Sequence, residues 1–168
     1  MFSYVTEDLV AAVGDAAPAV DAGRRSITGH SMGGHGALTI ALKQPETWRS
    51  VSAFSPICNP TACPWGEKAF GGYLGSVGAG AANDATELMR SAGPYPALGE
   101  ILVSQGADDD FLVGDVDQLR PESFRDACDA VGQGLELNYE AGYDHSYFFI
   151  STFIDQHVDF HAARLNAG

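Results

Sequence analysis

Apolar residues recur at helical spacing over residues 3–14, with Val5, Leu9, Ala12 and Val13 on one side, which predicts an amphipathic helix. Pro18 and Gly23 mark the loop after it. Arg25 to Thr28 reads as a short strand running straight into Gly29-His30-Ser31-Met32-Gly33-Gly34. From Met32 to Lys43 small and apolar residues return to helical spacing, and Pro45 sets the stop. Val51 to Phe54 predicts a second strand, followed by a Pro-, Cys- and Gly-rich loop from Ser55 to about Gly80. A short helix is expected over 83–91, and a third strand over Ile101 to Ser104. Pro121 to Val131 predicts a helix with Pro121 at its first position and Phe124, Ala127, Cys128 and Val131 at core spacing. Leu135 to Tyr139 alternates as a fourth strand, and a last helix reaches about Leu165. Strand and helix alternate throughout, the pattern of an α/β fold whose mostly parallel sheet is covered on both faces.

Composition narrows the function. The 168 residues suit one domain, residues 1–168, with no repeat or linker dividing it. Nine basic residues against 22 acidic ones leave a net charge of −13. Only Lys43 and Lys68 are lysines. Nucleic acid and anionic membrane are therefore excluded as partners, because both require a positive surface. The richest apolar stretch, Tyr147 to Ile154, is too short and too polar for a bilayer span. The first eight residues lack the basic and apolar regions of a signal peptide. Cys58, Cys63 and Cys128 are too few and too odd for a disulfide scaffold, so reduced thiols in a cytoplasmic protein are expected.

Gly29-His30-Ser31-Met32-Gly33 fits G-x-S-x-G between a predicted strand and a predicted helix. A nucleophile elbow forces its serine into a strained turn, where side chains at the flanking positions collide with strand and helix. Glycine at 29 and 33 is expected to remove both collisions, and Gly34 and Gly36 to keep the helix close to the sheet. Ser31 then stands at a helix N-terminus, where backbone N–H groups and the dipole favour an oxyanion.

A serine hydroxyl needs a histidine base oriented by a carboxylate. In this topology they follow in the order Ser, acid, His, each after a later strand. His145 follows the fourth strand; Asp108, Asp109 and Asp110 follow the third. The aspartate run also reads as a solvated turn or a cation site. His30 and His35 lie in the wrong loop for a base, so packing or a hydrogen bond is expected of each. His157 and His161 are four apart, a spacing that can hold metal, but no third ligand accompanies them and a solvent-facing position is expected.

The segment Gly29 to Leu38 resembles the nucleophile segment of S-formylglutathione hydrolases, also called esterase D, of the α/β-hydrolase fold. The likeness continues in Ser50 to Pro60, Cys63-Pro64-Trp65-Gly66, Phe70 to Gly75, Gln105 to Leu112 and Glu140 to Tyr147. Only about Ser76 to Glu100 is unlike the family.

The resemblance implies a thioesterase without cofactor or metal. It would hydrolyse the small-molecule thioester S-formylglutathione to formate and glutathione, the last step of glutathione-dependent formaldehyde removal. It assigns Ser31 as nucleophile, His145 as general base and Asp109, the second aspartate after Gln-Gly-x, as the acid. The Met32 backbone N–H is implied as an oxyanion donor. Trp65 reads equally as an acyl-pocket wall or a structural aromatic. Four strands are expected where the fold has eight, so the chain reads as the later part of a larger domain, with the second oxyanion donor in the missing N-terminal portion. A general short-chain carboxylesterase and a truncated, non-catalytic fragment are the competing readings. The sequence shows neither the groups that hold the glutathione moiety nor the oligomeric state, for which a homodimer stays open.

Overall fold

The computed structural model describes residues 1–113 and 117–167. Four strands, β1 (Ile27–His30), β2 (Val51–Phe54), β3 (Ile101–Gly106) and β4 (Leu135–Glu140), form one sheet in that order, every pair parallel. The expected alternation is borne out: α1 (Leu9–Ala16) precedes β1, and α2 (Met32–Lys43) links β1 to β2. Then α3 (Pro64–Leu74) and α4 (Ala85–Ala92) link β2 to β3, and α5 (Pro121–Val131) links β3 to β4. Finally α6 (Tyr147–Asn166) follows β4.

Alternation along the strands assigns the two faces. Val51, Ala53, Ile101 and Val103 point into a core closed by Leu38 and Ala41 of α2, Met89 of α4, and Phe124 and Cys128 of α5. The opposite face carries hydroxyls, and α6 covers it. Ser52 Oγ donates its one hydrogen to Thr28 Oγ1 at 2.8 Å. It therefore accepts from His157 Nδ1 at 2.9 Å and from His161 Nε2 at 2.8 Å. His157 Nε2 then accepts from Ser104 at 3.0 Å, and His161 Nδ1 from Ser50 at 2.7 Å. Two neutral imidazoles thus fasten α6 to β2, the residue before it, and β3. The Phe54 ring stacks on His157 with centroids 3.7 Å apart.

Four expectations change. His157 and His161 do not face solvent: His157 is fully buried, and both spend their ring nitrogens on serines. The first strand runs from Ile27 to His30, two residues later than expected, so His30 ends a strand. The expected loop from Ser55 contains α3, begun by Pro64 at its first position and ended by Gly75 at φ 81°. The first helix opens as a π-helical turn, Tyr4–Asp8. The apolar side of α1 is not buried: Leu9 and Val13 are exposed beside the edge strand β1. With Val20, Ile27 and Trp48 they line an open groove of about 480 Å³.

Candidate active site

The site lies at the C-terminal ends of β1, β3 and β4. Ser31 sits between β1 and α2 with φ 57° and ψ −118°, a conformation outside the regions open to most L-residues. Its amide donates to the Phe54 carbonyl at 2.9 Å, which ties the turn to the end of β2. The strained turn requires glycine at 29, where a Cβ would lie 2.2 Å from the Gly33 carbonyl oxygen. At 34 a Cβ would crowd Pro56. Gly33 and Gly36 meet nothing within 4 Å, contrary to expectation, and face an open hollow beside Met1 and Phe2.

His145 and Asp109 come from loops that a second glycine brings together. A Cβ on Gly106 would lie 2.5 Å from the carbonyl oxygens of Tyr143 and Asp144. The bare backbone lets the loop after β4 lie against the end of β3, where the Asp108 amide donates to the Tyr143 carbonyl at 2.9 Å. In consequence His145 Nδ1 stands 2.6 Å from Asp109 Oδ2, and His145 Nε2 stands 2.8 Å from Ser31 Oγ. Asp109 is fully buried, whereas Asp108 and Asp110 are exposed. Burial alone would push the Asp109 carboxyl up. Hydrogen bonds from His145 and the Phe111 amide, with the His145 charge and the nearby Ser55 hydroxyl, outweigh it and leave the group below its ordinary 3.8. An ionised carboxylate only accepts, so Nδ1 carries the imidazole hydrogen and Nε2 is free to take the Ser31 proton. Such an arrangement can run nucleophilic acyl transfer.

Two aromatic side chains shield the imidazole. Phe111 meets the His145 ring edge-on at 4.9 Å, and Trp65 lies 4.8 Å from Phe111 on the other side. Trp65 stands at the start of α3, its amide held by Gln118 Oε1 at 2.9 Å. Beside Ser31, an apolar cavity of about 320 Å³ is lined by Met32, Ile57, Pro60, Trp65 and Phe70. The Met32 amide is the first N–H of α2, one of those that no intrahelical carbonyl can satisfy. Among the described residues, no group of three or more His, Cys, Asp or Glu side chains is placed to hold a metal.

The chain matches the family model Esterase, described as "Putative esterase", over residues 2–160. It belongs to the esterase family. It is 52% identical to an S-formylglutathione hydrolase of Rattus norvegicus and 45% identical to one of Arabidopsis thaliana. Those alignments cover 99% and 98% of this chain but 58% and 57% of the relatives, so the chain spans a little over half the length of the curated relatives it matches. A solved S-formylglutathione hydrolase from Agrobacterium tumefaciens superposes with a TM-score of 0.90 at 46% identity, over 99% of this chain and 58% of its own.

Within this chain the structure brings Ser31, His145 and Asp109 into one hydrogen-bonded line and places Met32 and Trp65 beside it. His30 and His35 stay outside that line. The His30 ring lies 4.5 Å from the His145 ring; burial first, then His145, pull it below its ordinary 6.5. His35 Nε2 meets the Asn83 carbonyl at 2.7 Å. The sequence reading missed Phe111, whose amide binds Asp109 Oδ1 at 2.9 Å and whose ring screens His145. Its signal was an aromatic two residues after the acid, directly after the run of three aspartates. The three cysteines are free and buried, and no described helix is long and apolar enough to cross a membrane.

Proposed function

We propose that the whole protein is an S-formylglutathione hydrolase and that this chain carries its Ser31–His145–Asp109 triad. The observation behind the reading is the continuous pair of bonds, 2.8 Å from Ser31 Oγ to His145 Nε2 and 2.6 Å from His145 Nδ1 to Asp109 Oδ2. His145 Nε2 takes the Ser31 proton as Oγ attacks the formyl carbon. The carbonyl electrons move onto oxygen, which the Met32 amide at the α2 N-terminus stabilises. As the carbonyl re-forms, the C–S bond breaks and the departing thiolate collects the proton from His145, leaving a formyl ester on Ser31. Water attacks that ester, giving its proton to Nε2, and formate leaves as Ser31 regains its hydrogen. Asp109 holds the ring orientation and offsets the imidazolium charge throughout. Trp65 forms a wall of the acyl pocket. The pathway served would be formaldehyde removal, and three buried free thiols suit a reducing cytoplasm.

The apolar cavity beside Ser31, at about 320 Å³, offers more room than a formyl group fills. That favours a second reading, a short-chain carboxylesterase on the same triad. Turnover of S-formylglutathione and p-nitrophenyl acetate, measured on the same preparation, separates the two. A kcat/KM preference for the thioester is the expected result, and equal or inverted preference rejects the first reading.

A further inference from the structure

The Asp109 carboxylate has partners that the reaction above does not use. Gln105, in β3, is fully buried, and its Nε2 donates to Asp109 Oδ2 at 3.1 Å, the same oxygen that faces His145. That nitrogen also lies 3.2 Å from Ser55 Oγ and 3.1 Å from the Gly106 carbonyl. Three acceptors thus surround an NH₂ group with two hydrogens. Turning the amide over would set Oε1 against a carboxylate and a carbonyl, so the acceptors decide its orientation. Gln105 Oε1 is left buried with no partner as a result. An apolar side chain of similar shape would fill this space without orphaning an oxygen. The glutamine is explained by its donor end.

Ser55 supplies a second, independent observation. It follows β2, is fully buried and holds a φ of 40°, in the region glycine adopts at least cost. A serine under that strain is explained by its hydroxyl, whose oxygen accepts from Gln105 Nε2 at 3.2 Å and holds the amide beside Asp109.

We propose that Gln105 and Ser55 are positioning residues that keep Asp109 ionised and set how much of its charge reaches His145. The proposal rests on the reading of Ser31, His145 and Asp109 as a triad. Removing the Gln105 donor, or the Ser55 oxygen that holds it in place, leaves more carboxylate charge for the imidazolium, so His145 must then titrate at higher pH. The other titratable groups near His145 are His30, at the end of β1, and the exposed Asp144 beside it in its own loop. Both are unchanged in the variants, and the facing Phe111 is uncharged.

The test uses Gln105→Met and Ser55→Ala in the full chain, with folding checked by circular dichroism. The His145 ring proton is titrated by NMR, and the acid limb of kcat/KM for p-nitrophenyl acetate is followed in parallel. Each folded variant is expected to raise the His145 midpoint by about half a pH unit, with the acid limb moving in step. A folded variant whose midpoint stays in place overturns the role of that residue, whatever its turnover. If Gln105→Met does not fold, Ser55→Ala decides. The NMR arm needs no turnover, so the charge-setting role is judged on this chain alone, whereas absence of turnover in the whole protein would reject the hydrolase reading.

Discussion

Asp109 is the middle of three consecutive aspartates, and burial and hydrogen bonding distinguish it from its neighbours. Its carboxylate sits inside the molecule beside His145, whereas Asp108 and Asp110 face solvent. Asp109→Asn should keep the shape but hold His145 in the wrong tautomer, lowering kcat about 10³–10⁴-fold with little change in KM. Asp108→Asn and Asp110→Asn, assayed alongside, should stay close to the unaltered rate. The glycines divide in the same way. Gly29→Ala drives a Cβ into the Gly33 carbonyl and should cost about 3 kcal/mol in chemical denaturation. Gly33→Ala and Gly36→Ala meet open space and should leave stability unchanged or raise it by up to about 1 kcal/mol.

At the scale of elements, α6 carries the clearest consequence, since it follows His145 directly and is fastened to the sheet by two histidines. Burial, then the neighbouring His161, pushes His157 down to about 3; burial, then Arg164, pushes His161 down to about 4. The unfolded chain binds protons at both sites below the ordinary 6.5, and the fold does not. Stability is therefore full above pH 6.5 and is lost as pH falls toward about 4, at about 1.4 kcal/mol per group per pH unit. Urea midpoints measured from pH 7.5 to 4.5 should show that slope, and His157→Gln should flatten it. These roles were not legible in the sequence, because His157 and His161 face hydroxyls at β2 and β3, whose register only the fold sets. Helix α3 escaped for a related reason. Gly66, Gly71 and Gly72 weaken its propensity, and its start is set by packing on the turn at Pro60–Ala62. The strand–turn–helix at Ser31 and the order Ser, Asp, His were legible, because strain and topology restrict which residues can stand there.

Across this chain, the formal charge of −13 opposes an anionic thioester such as the S-formylglutathione proposed above. Its kcat/KM should therefore rise roughly threefold as ionic strength goes from about 0.01 to 0.15 M, while that for neutral p-nitrophenyl acetate stays level. A thioester rate that falls with salt would instead point to a local cationic subsite. The open groove along α1 and β1 leaves apolar surface uncovered at the sheet edge, yet the bonds joining Ser31, His145 and Asp109 lie away from it. A Ser31 activated within this chain should therefore react with a serine-directed electrophile. Intact-mass spectrometry after exposure of the folded chain to a fluorophosphonate measures that most directly. A single adduct on Ser31, absent from Ser31→Ala and strongly slowed in His145→Asn, is the predicted result; a folded chain that stays unlabelled would contradict it.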